Sequence, residues 1–167
     1  MTTNQPALSR VAPYVIQPLG PADRPRILAH LLALDADDRR LRFGAGGDAE
    51  VVARYVSAID FDTGSVLGAC APDGSLLGVA HVARGGTTAD LGISVVPGAR
   101  QQGVAGALAA AALREARRTG AREFRFDSSA TNAGMRHLAR QLGMHVCAEG
   151  TELVACRMLD GASDARA

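Results

Sequence analysis

The chain has 167 residues, 47% of them hydrophobic and 21% charged, with a formal net charge of +1. This length and balance favour one globular domain with a substantial core and exclude a disordered chain. The near-zero net charge gives no electrostatic reason to expect nucleic acid or an anionic membrane as the main partner.

Hydrophobic spacing predicts strands and helices in the order β-α-α-α-β-β-β-α-β-α-β-β. Strands are predicted where short apolar runs are bounded by turn residues, over residues 14–19, 65–71, 76–83, 89–96, 123–127, 145–148 and 151–158. Helices are predicted where apolar residues recur at helical spacing or follow capping residues, over residues 23–34, 37–43, 48–58, 104–119 and 132–142. The order predicts a mixed α+β fold in one domain, residues 14–160, with flexible tails over residues 1–13 and 161–167.

Several classes of protein are excluded by simple counts. The longest apolar run, residues 104–113, is too short for a membrane span, which needs about 20 residues. Residues 1–13 are polar and lack an apolar segment, so we expect no secretory signal and a cytoplasmic location. All 18 basic residues are arginine, which excludes a Gly-Lys-Ser/Thr phosphate loop, a Schiff base and a lysine nucleophile.

The cysteines and histidines show no metal-binding spacing, so no metal site is predicted. Cys70, Cys147 and Cys156 lie among apolar neighbours, which favours buried free thiols in a reducing compartment. His81 alternates with apolar residues on a predicted strand and could reach a cleft. The other histidines are interpreted as surface residues or as side chains with satisfied hydrogen bonds, at positions 30, 137 and 145.

The most informative stretch joins a strand to the long helix and reads Val-Val-Pro-Gly-Ala-Arg-Gln-Gln-Gly-Val-Ala-Gly over residues 95–106. A helix N-terminus offers unpaired N–H groups to an anion, and small residues let a phosphate approach closely. The glycine spacing, G-x4-G-x2-G, is not the dinucleotide pattern G-x-G-x-x-G. By itself, the stretch is equally compatible with an ordinary turn whose small residues pack on the sheet.

This stretch resembles the acetyl-CoA motif V-x-P-x-x-[R/Q]-x-x-G-x-[G/A] of the GCN5-related N-acetyltransferase (GNAT) family. The matching residues are Val95, Pro97, Arg100, Gly103 and Ala105. Residues 132–144 resemble a second family segment that begins with Asn, ends in Leu-Gly-Phe and here begins at Asn132. Asn132 could also serve as a helix N-cap, and both roles are compatible.

The resemblance covers residues 14–159 and implies the GNAT fold, a mostly antiparallel sheet of six or seven strands flanked by helices. It implies acetyl-CoA as co-substrate, with the pyrophosphate on the amides of residues 101–106 and pantetheine along Val95 and Val96. The implied cofactor-binding residues are Val95, Val96, Pro97, Arg100, Gln101, Gln102, Gly103, Val104, Ala105, Gly106, Asn132 and Met135.

Three further stretches resemble the GNAT domains of bacterial protein acetyltransferases of the Pat type. Residues 34–43 are similar to that branch's LSxxDRxLRF, residues 59–62 to its IDyD, and residues 132–140 to its NxxMRxLAR helix. These stretches could shape the same scaffold in other branches as well. The resemblance implies that the acceptor is a protein lysine or a small amine.

Asp90 is the candidate catalytic base. Residues Asp90, Gly92 and Ser94 share the polar face of a predicted strand, where Pat-type relatives carry a glutamate to which the base role is assigned. Asp is one methylene shorter than Glu, so a water could bridge the gap. Asp90 could instead be a solvated residue at the start of the strand.

The general acid is left open. In many related enzymes a tyrosine on the last helix protonates the departing thiolate, and that register falls on Ala139, as it does in the Pat-type branch. Ser128, Ser129 or a water could serve. The early acidic segments, residues 35–39 and 60–62, are either solvated helix starts or part of the acceptor site.

These observations predict an N-acetyltransferase in which an amine attacks the thioester of acetyl-CoA directly, within a ternary complex. A backbone N–H near Val95 or Val96 would stabilise the oxyanion. The alternatives are a non-catalytic acyl-CoA-binding sensor and a small α+β protein without a CoA site. The expected partners are acetyl-CoA and the amine acceptor, with no nucleic acid or membrane, and with a homodimer left open.

Overall fold

All twelve predicted elements form within two residues of their predicted ends in a computed structural model, which describes residues 13–44 and 47–159. The strands are β1 (Val15–Leu19), β2 (Ser65–Cys70), β3 (Leu76–Gly85), β4 (Thr88–Val95), β5 (Glu123–Ser129), β6 (His145–Glu149) and β7 (Glu152–Met158). The helices are α1 (Arg24–Leu32), α2 (Ala36–Phe43), α3 (Ala49–Ser57), α4 (Val104–Arg118) and α5 (Ala133–Gln141). Apart from Pro13, the predicted tails lie outside the described residues.

Polar side chains begin three of the helices. Asp35 accepts a hydrogen bond from the amide of Asp38 at 2.8 Å, and Asp48 accepts one from Val51 at 2.9 Å. Asn132 accepts one from Met135 at 3.1 Å, so its predicted capping role is confirmed. Such caps satisfy amides that a helix leaves unpaired in its first turn.

The seven strands form one sheet in the order β1-β2-β3-β4-β5-β7-β6. Every neighbouring pair is antiparallel except β4 and β5, which confirms the predicted mostly antiparallel sheet. The parallel pairing of β4 with β5 extends only from Thr88 to Asp90 and from Glu123 to Arg125. The two strands diverge from there, and the sheet opens between them.

The core has two parts, one on each side of the sheet. On the side that we call the α1 face, α1 and α3 bury Ile27, Leu31 and Val52 against β2 and β3. On the opposite side, the α4 face, Leu108 and Phe124 are completely buried among residues of α4, α5 and the central strands. In the described part of the chain, no helix combines the length and the apolar character that a membrane span requires.

The prediction that all three cysteines are buried is wrong for Cys147. Cys70 is buried and Cys156 is half-buried, but Cys147 is exposed. Cys147 lies on β6, the last strand in the sheet order. Its apolar neighbours in the sequence belong to a strand that has a partner on one edge only.

Candidate active site

A cavity of about 790 Å³ lies where β4 and β5 diverge, and residues from both faces of the sheet line it. On the α4 face its wall is formed by the start of α4 and by α5, and on the α1 face by α2. Residues of β4 and β5 form the wall between them.

Most of the predicted cofactor-binding residues line this cavity. They are Val95, Arg100, Gln101, Gly103, Val104, Ala105, Gly106, Asn132 and Met135. Three others are not part of the wall: Val96, Pro97 and Gln102. Pro97 begins a short 3-10 turn, and Gln102 donates a side-chain hydrogen bond to the carbonyl of Gly98 at 3.0 Å.

The N-terminus of α4 has the geometry of an anion-binding end. Gly103, its N-cap, has a φ of 79°, and no side chain caps the helix. The amides of the first turn therefore have no partner inside the helix. An ideal Cβ at Gly103 would meet nothing within 4 Å, and Gly103, Val104 and Ala105 line the cavity. Unpaired amides of this kind can hold an anionic group such as a phosphate.

The main chain of β4 offers donors and acceptors to the gap. The amide of Val96 donates to the carbonyl of Leu77 at 2.9 Å, so it is already paired within the sheet. Because successive peptide groups of a strand point to opposite edges, the polar groups of Leu91, Ile93 and Val95 face the diverging β5. Of the two amides predicted near the oxyanion, only that of Val95 faces the cavity.

Asp90 lies on the last paired rung between β4 and β5, at the closed end of the gap, and is not among the residues of the cavity wall. Its carboxylate is 50% exposed and lies 3.2 Å from Nε of Arg125. The same guanidinium donates to both oxygens of Asp127, at 2.9 and 3.0 Å, and Asp127 does line the cavity.

Burial raises the pKa of Asp90 above its ordinary value. The Arg125 guanidinium opposes this shift in the pKa, and the neighbouring carboxylates of Asp127 and Glu123 add to it. A raised pKa makes a carboxylate a better proton acceptor near neutral pH.

A hydrogen-bonded group that the sequence did not reveal lies on the α1 face. Arg42, on the last turn of α2, donates from Nη2 to the hydroxyl of Tyr55 at 2.6 Å, and that hydroxyl lies 2.6 Å from Nδ1 of His81. The guanidinium also lies over the rings of Phe43 and Tyr55, 4.9 and 5.0 Å from their centroids. The Tyr55 hydroxyl accepts the hydrogen bond from Arg42, and its bond with Nδ1 of His81 has a direction set by the histidine tautomer.

Burial, and then the charge of Arg42, lower the pKa of His81 to about 4, so this histidine is neutral at pH 7. His81 lies beneath the cavity and is not part of its wall. The signal that could have located Arg42 is Gly92, since Arg42 occupies the space where a side chain at position 92 would lie.

The acidic start of α2 contributes one residue to the cavity. Asp38 lines the wall and forms an ion pair with Arg100, in the loop between β4 and α4. Asp37 is 87% exposed and outside the wall. Residues 60–62 are the second acidic segment that could belong to the acceptor site. There, the carboxylate of Asp60 accepts a hydrogen bond from the Thr63 hydroxyl, and Asp60 is also outside the wall.

Three residues bear on the undetermined general acid. Ser128 lines the cavity, whereas Ser129 forms a side-chain hydrogen bond with Thr131 at 2.8 Å. Ala139, at the position where many related enzymes carry the tyrosine, is completely buried.

His30 is buried between the carbonyl of Leu76 at 3.1 Å and the hydroxyl of Ser94 at 2.9 Å, so its hydrogen bonds are satisfied.

The sequence model of the acetyltransferase (GNAT) family matches residues 28–144. The GNAT domain of S. lividans PAT has the same fold, with a TM-score of 0.75 and 20% identity over 87% of this chain and 90% of that chain. The ribosomal-protein-alanine N-acetyltransferase from Brucella melitensis gives a TM-score of 0.69 and 22% identity over 87% and 99% of the two chains.

A third structure, of yncA from Salmonella typhimurium with its cofactor acetyl-CoA, gives a TM-score of 0.70 and 20% identity over 92% and 99% of the two chains. At these identities the structures establish a shared fold only. No curated protein sequence matched this chain at a significant level.

Proposed function

This chain belongs to the GNAT acetyltransferase family, and we propose that it transfers the acetyl group of acetyl-CoA to an amine by direct attack in a ternary complex. The observation that carries the proposal is the cavity between β4 and β5, whose walls contain residues from both faces of the sheet. Acetyl-CoA would occupy the α4 face, with its diphosphate on the first-turn amides of α4, and the amine would enter from the α1 face beside α2.

Alignment of the two reactants is expected to supply most of the rate enhancement, on the order of 7–11 kcal/mol. A lysine-like amine has a pKa near 10.4, so its neutral form costs about 4–5 kcal/mol at pH 7. A positioned base is expected to contribute about 10²- to 10⁴-fold. The main-chain amide of Val95 would donate to the oxyanion as the thioester carbonyl becomes tetrahedral.

Asp90 would take the proton from the ammonium, directly or through a water. The neutral nitrogen then attacks the thioester carbonyl carbon and the C–S bond breaks. The acetyl group remains on nitrogen as an amide, and the thiolate leaves as CoA thiol after taking one of the two protons released. Ser128 or a water would deliver that proton, and the second proton passes to solvent.

The acceptor under this proposal is a protein lysine or a small amine. The Pat-type stretches of the sequence support the first class. An exposed free thiol at Cys147 supports a reducing, cytoplasmic compartment, because exposed thiols persist in the reduced state there. The homodimer stays a prediction.

Calorimetry with acetyl-CoA, followed by mass spectrometry of acetylated amines, tests the proposal. Mass spectrometry is preferred to a thiol reagent because exposed Cys147 would react with the reagent. Asp90→Asn should lower kcat by about 10²- to 10⁴-fold and leave the Kd of acetyl-CoA unchanged. The matched control is Asp37→Asn, which removes an exposed carboxylate outside the cavity and should leave kcat unchanged.

Failure to bind acetyl-CoA would contradict the proposal. Binding without transfer to any amine would instead support an acyl-CoA sensor. An unchanged kcat in Asp90→Asn would remove Asp90 from the role of base.

A further inference from the structure

Arg42 presents a cationic group at the acceptor side of the cavity. It is half-buried, lines the wall, and lies directly over Gly92 of β4. Only a glycine at this position lets the guanidinium lie against the strand, because an ideal Cβ would overlap both Nη2 and Cζ of Arg42. The strand and the arginine are thus fitted to each other.

The guanidinium is held in place but has no anionic partner. The Tyr55 hydroxyl and the rings of Phe43 and Tyr55 fix its orientation from behind. Among residues 13–44 and 47–159, no carboxylate lies within ion-pair distance of Arg42. A fixed fork of donors of this kind suits the two oxygens of a carboxylate.

An excess of negative charge lies close by on the same face of the sheet. Asp90 and Asp127 share a single guanidinium, that of Arg125. Glu123, the first residue of β5, adds a third carboxylate that acts on Asp90. The other charged pair of the wall, Asp38 with Arg100, is balanced.

The positions of the charged groups restrict what could bridge them. Asp90 and Gly92 point to the same face of β4, two residues apart, so their Cα atoms are separated by about 6–7 Å, and the Arg42 guanidinium lies over Gly92. A small molecule that pairs with both groups therefore carries an amine and an anion.

We infer that the acceptor is an amino-acid-like zwitterion, whose carboxylate binds Arg42 and whose amine lies beside Asp90 and Asp127. This inference rests on the proposed transfer to an amine. A lysine side chain on a protein brings an ammonium without a neighbouring anion. It would leave the half-buried guanidinium unpaired and is therefore disfavoured at this site.

The test compares the twenty common L-amino acids, each as the free acid and as its amide, with an N-acetylated and C-amidated peptide that contains one lysine. With acetyl-CoA saturating, product formation is followed by mass spectrometry. At least one free acid should be acetylated with a kcat/KM about 10- to 100-fold above those of its amide and of the peptide, as expected for a charge-assisted contact.

Variants at Arg42 assign the effect to its charge. Arg42→Gln should raise KM for the free acid by about 10- to 100-fold and leave KM for the amide unchanged, whereas Arg42→Lys should restore part of the preference. The control is Arg40→Gln on the same helix, which is 69% exposed and outside the cavity. Thermal unfolding and the Kd of acetyl-CoA show whether each variant is folded.

Transfer to the amides or to the lysine peptide, with the free acids equal or worse, would overturn the inference and leave the proposed acetyltransferase intact. An Arg42→Gln variant that loses the same factor with acid and amide would also overturn it. Acetyl-CoA binding with no transfer to any of these amines would overturn the inference, whereas only binding without transfer to any amine would overturn the proposed function.

Discussion

Gly92→Ala is the most direct perturbation of the acceptor side, because the structure defines what the added methyl group meets. An ideal Cβ at position 92 would lie 2.0 Å from Nη2 of Arg42, so the guanidinium must move by about 1.5 Å or more to reach ordinary contact distance. The 2.6 Å hydrogen bond to the Tyr55 hydroxyl then breaks. Because the guanidinium is at the end of a flexible side chain, the backbone need not move.

The expected cost follows from these contacts. A hydrogen bond to a charged group contributes about 1.5–3 kcal/mol to the free energy of unfolding. Replacing a strand glycine with alanine raises the free energy of unfolding by about 0.5–1 kcal/mol. The net loss of about 1–2 kcal/mol should lower Tm by about 2–8 °C. KM for the preferred acceptor should rise at least about tenfold, while the Kd of acetyl-CoA stays unchanged because the methyl group points to the α1 face.

Unfolding scans, calorimetry and steady-state kinetics on Gly92→Ala, Arg42→Gln and the double variant provide the assay. The control is Gly85→Ala in β3, where an added Cβ meets nothing within 4 Å. If the methyl group acts only by displacing Arg42, Gly92→Ala adds little to KM in the Arg42→Gln background. Additive effects on KM, or a weaker Kd for acetyl-CoA in Gly92→Ala, would refute this reasoning.

Two further predictions concern the cofactor loop and pH. Gly103→Val should abolish the binding of acetyl-CoA measured by calorimetry. The control is Gly120→Val beyond the other end of α4, where φ is 78° against 79° at Gly103, so that it should cost similar stability and keep binding. Equal binding by both variants would contradict the placement of the diphosphate. The pKa of His81 is held near 4, below the value of about 6.5 in the unfolded chain, so the unfolded chain takes up the extra proton first as pH falls. Stability should therefore fall by about 1–2 kcal/mol between pH 7.5 and 5 in urea unfolding, and a His81→Gln variant with the same loss would show that His81 is not the source.

The cofactor side of the site follows from local sequence. Strand periodicity up to Val95, the turn residues after it and the small residues around Gly103 predict a strand, a loop and an uncapped helix in immediate succession. These features depend on residues close together in the chain, and a helix N-terminus brings its amides to one point wherever it forms. The capping role of Asn132 is predictable for the same reason.

The acceptor side depended on the tertiary structure. The resemblance of residues 34–43 to a Pat-type stretch assigns no contact to Arg42, and Gly92 by itself does not show which side chain occupies the space beside it. Only the packing of α2 over β4 brings them together, and only the short parallel pairing of β4 with β5 leaves Asp90 beside Arg125. Hydrophobic periodicity reports which face of an element is buried, whereas the approach of two polar groups distant in sequence depends on how the elements dock.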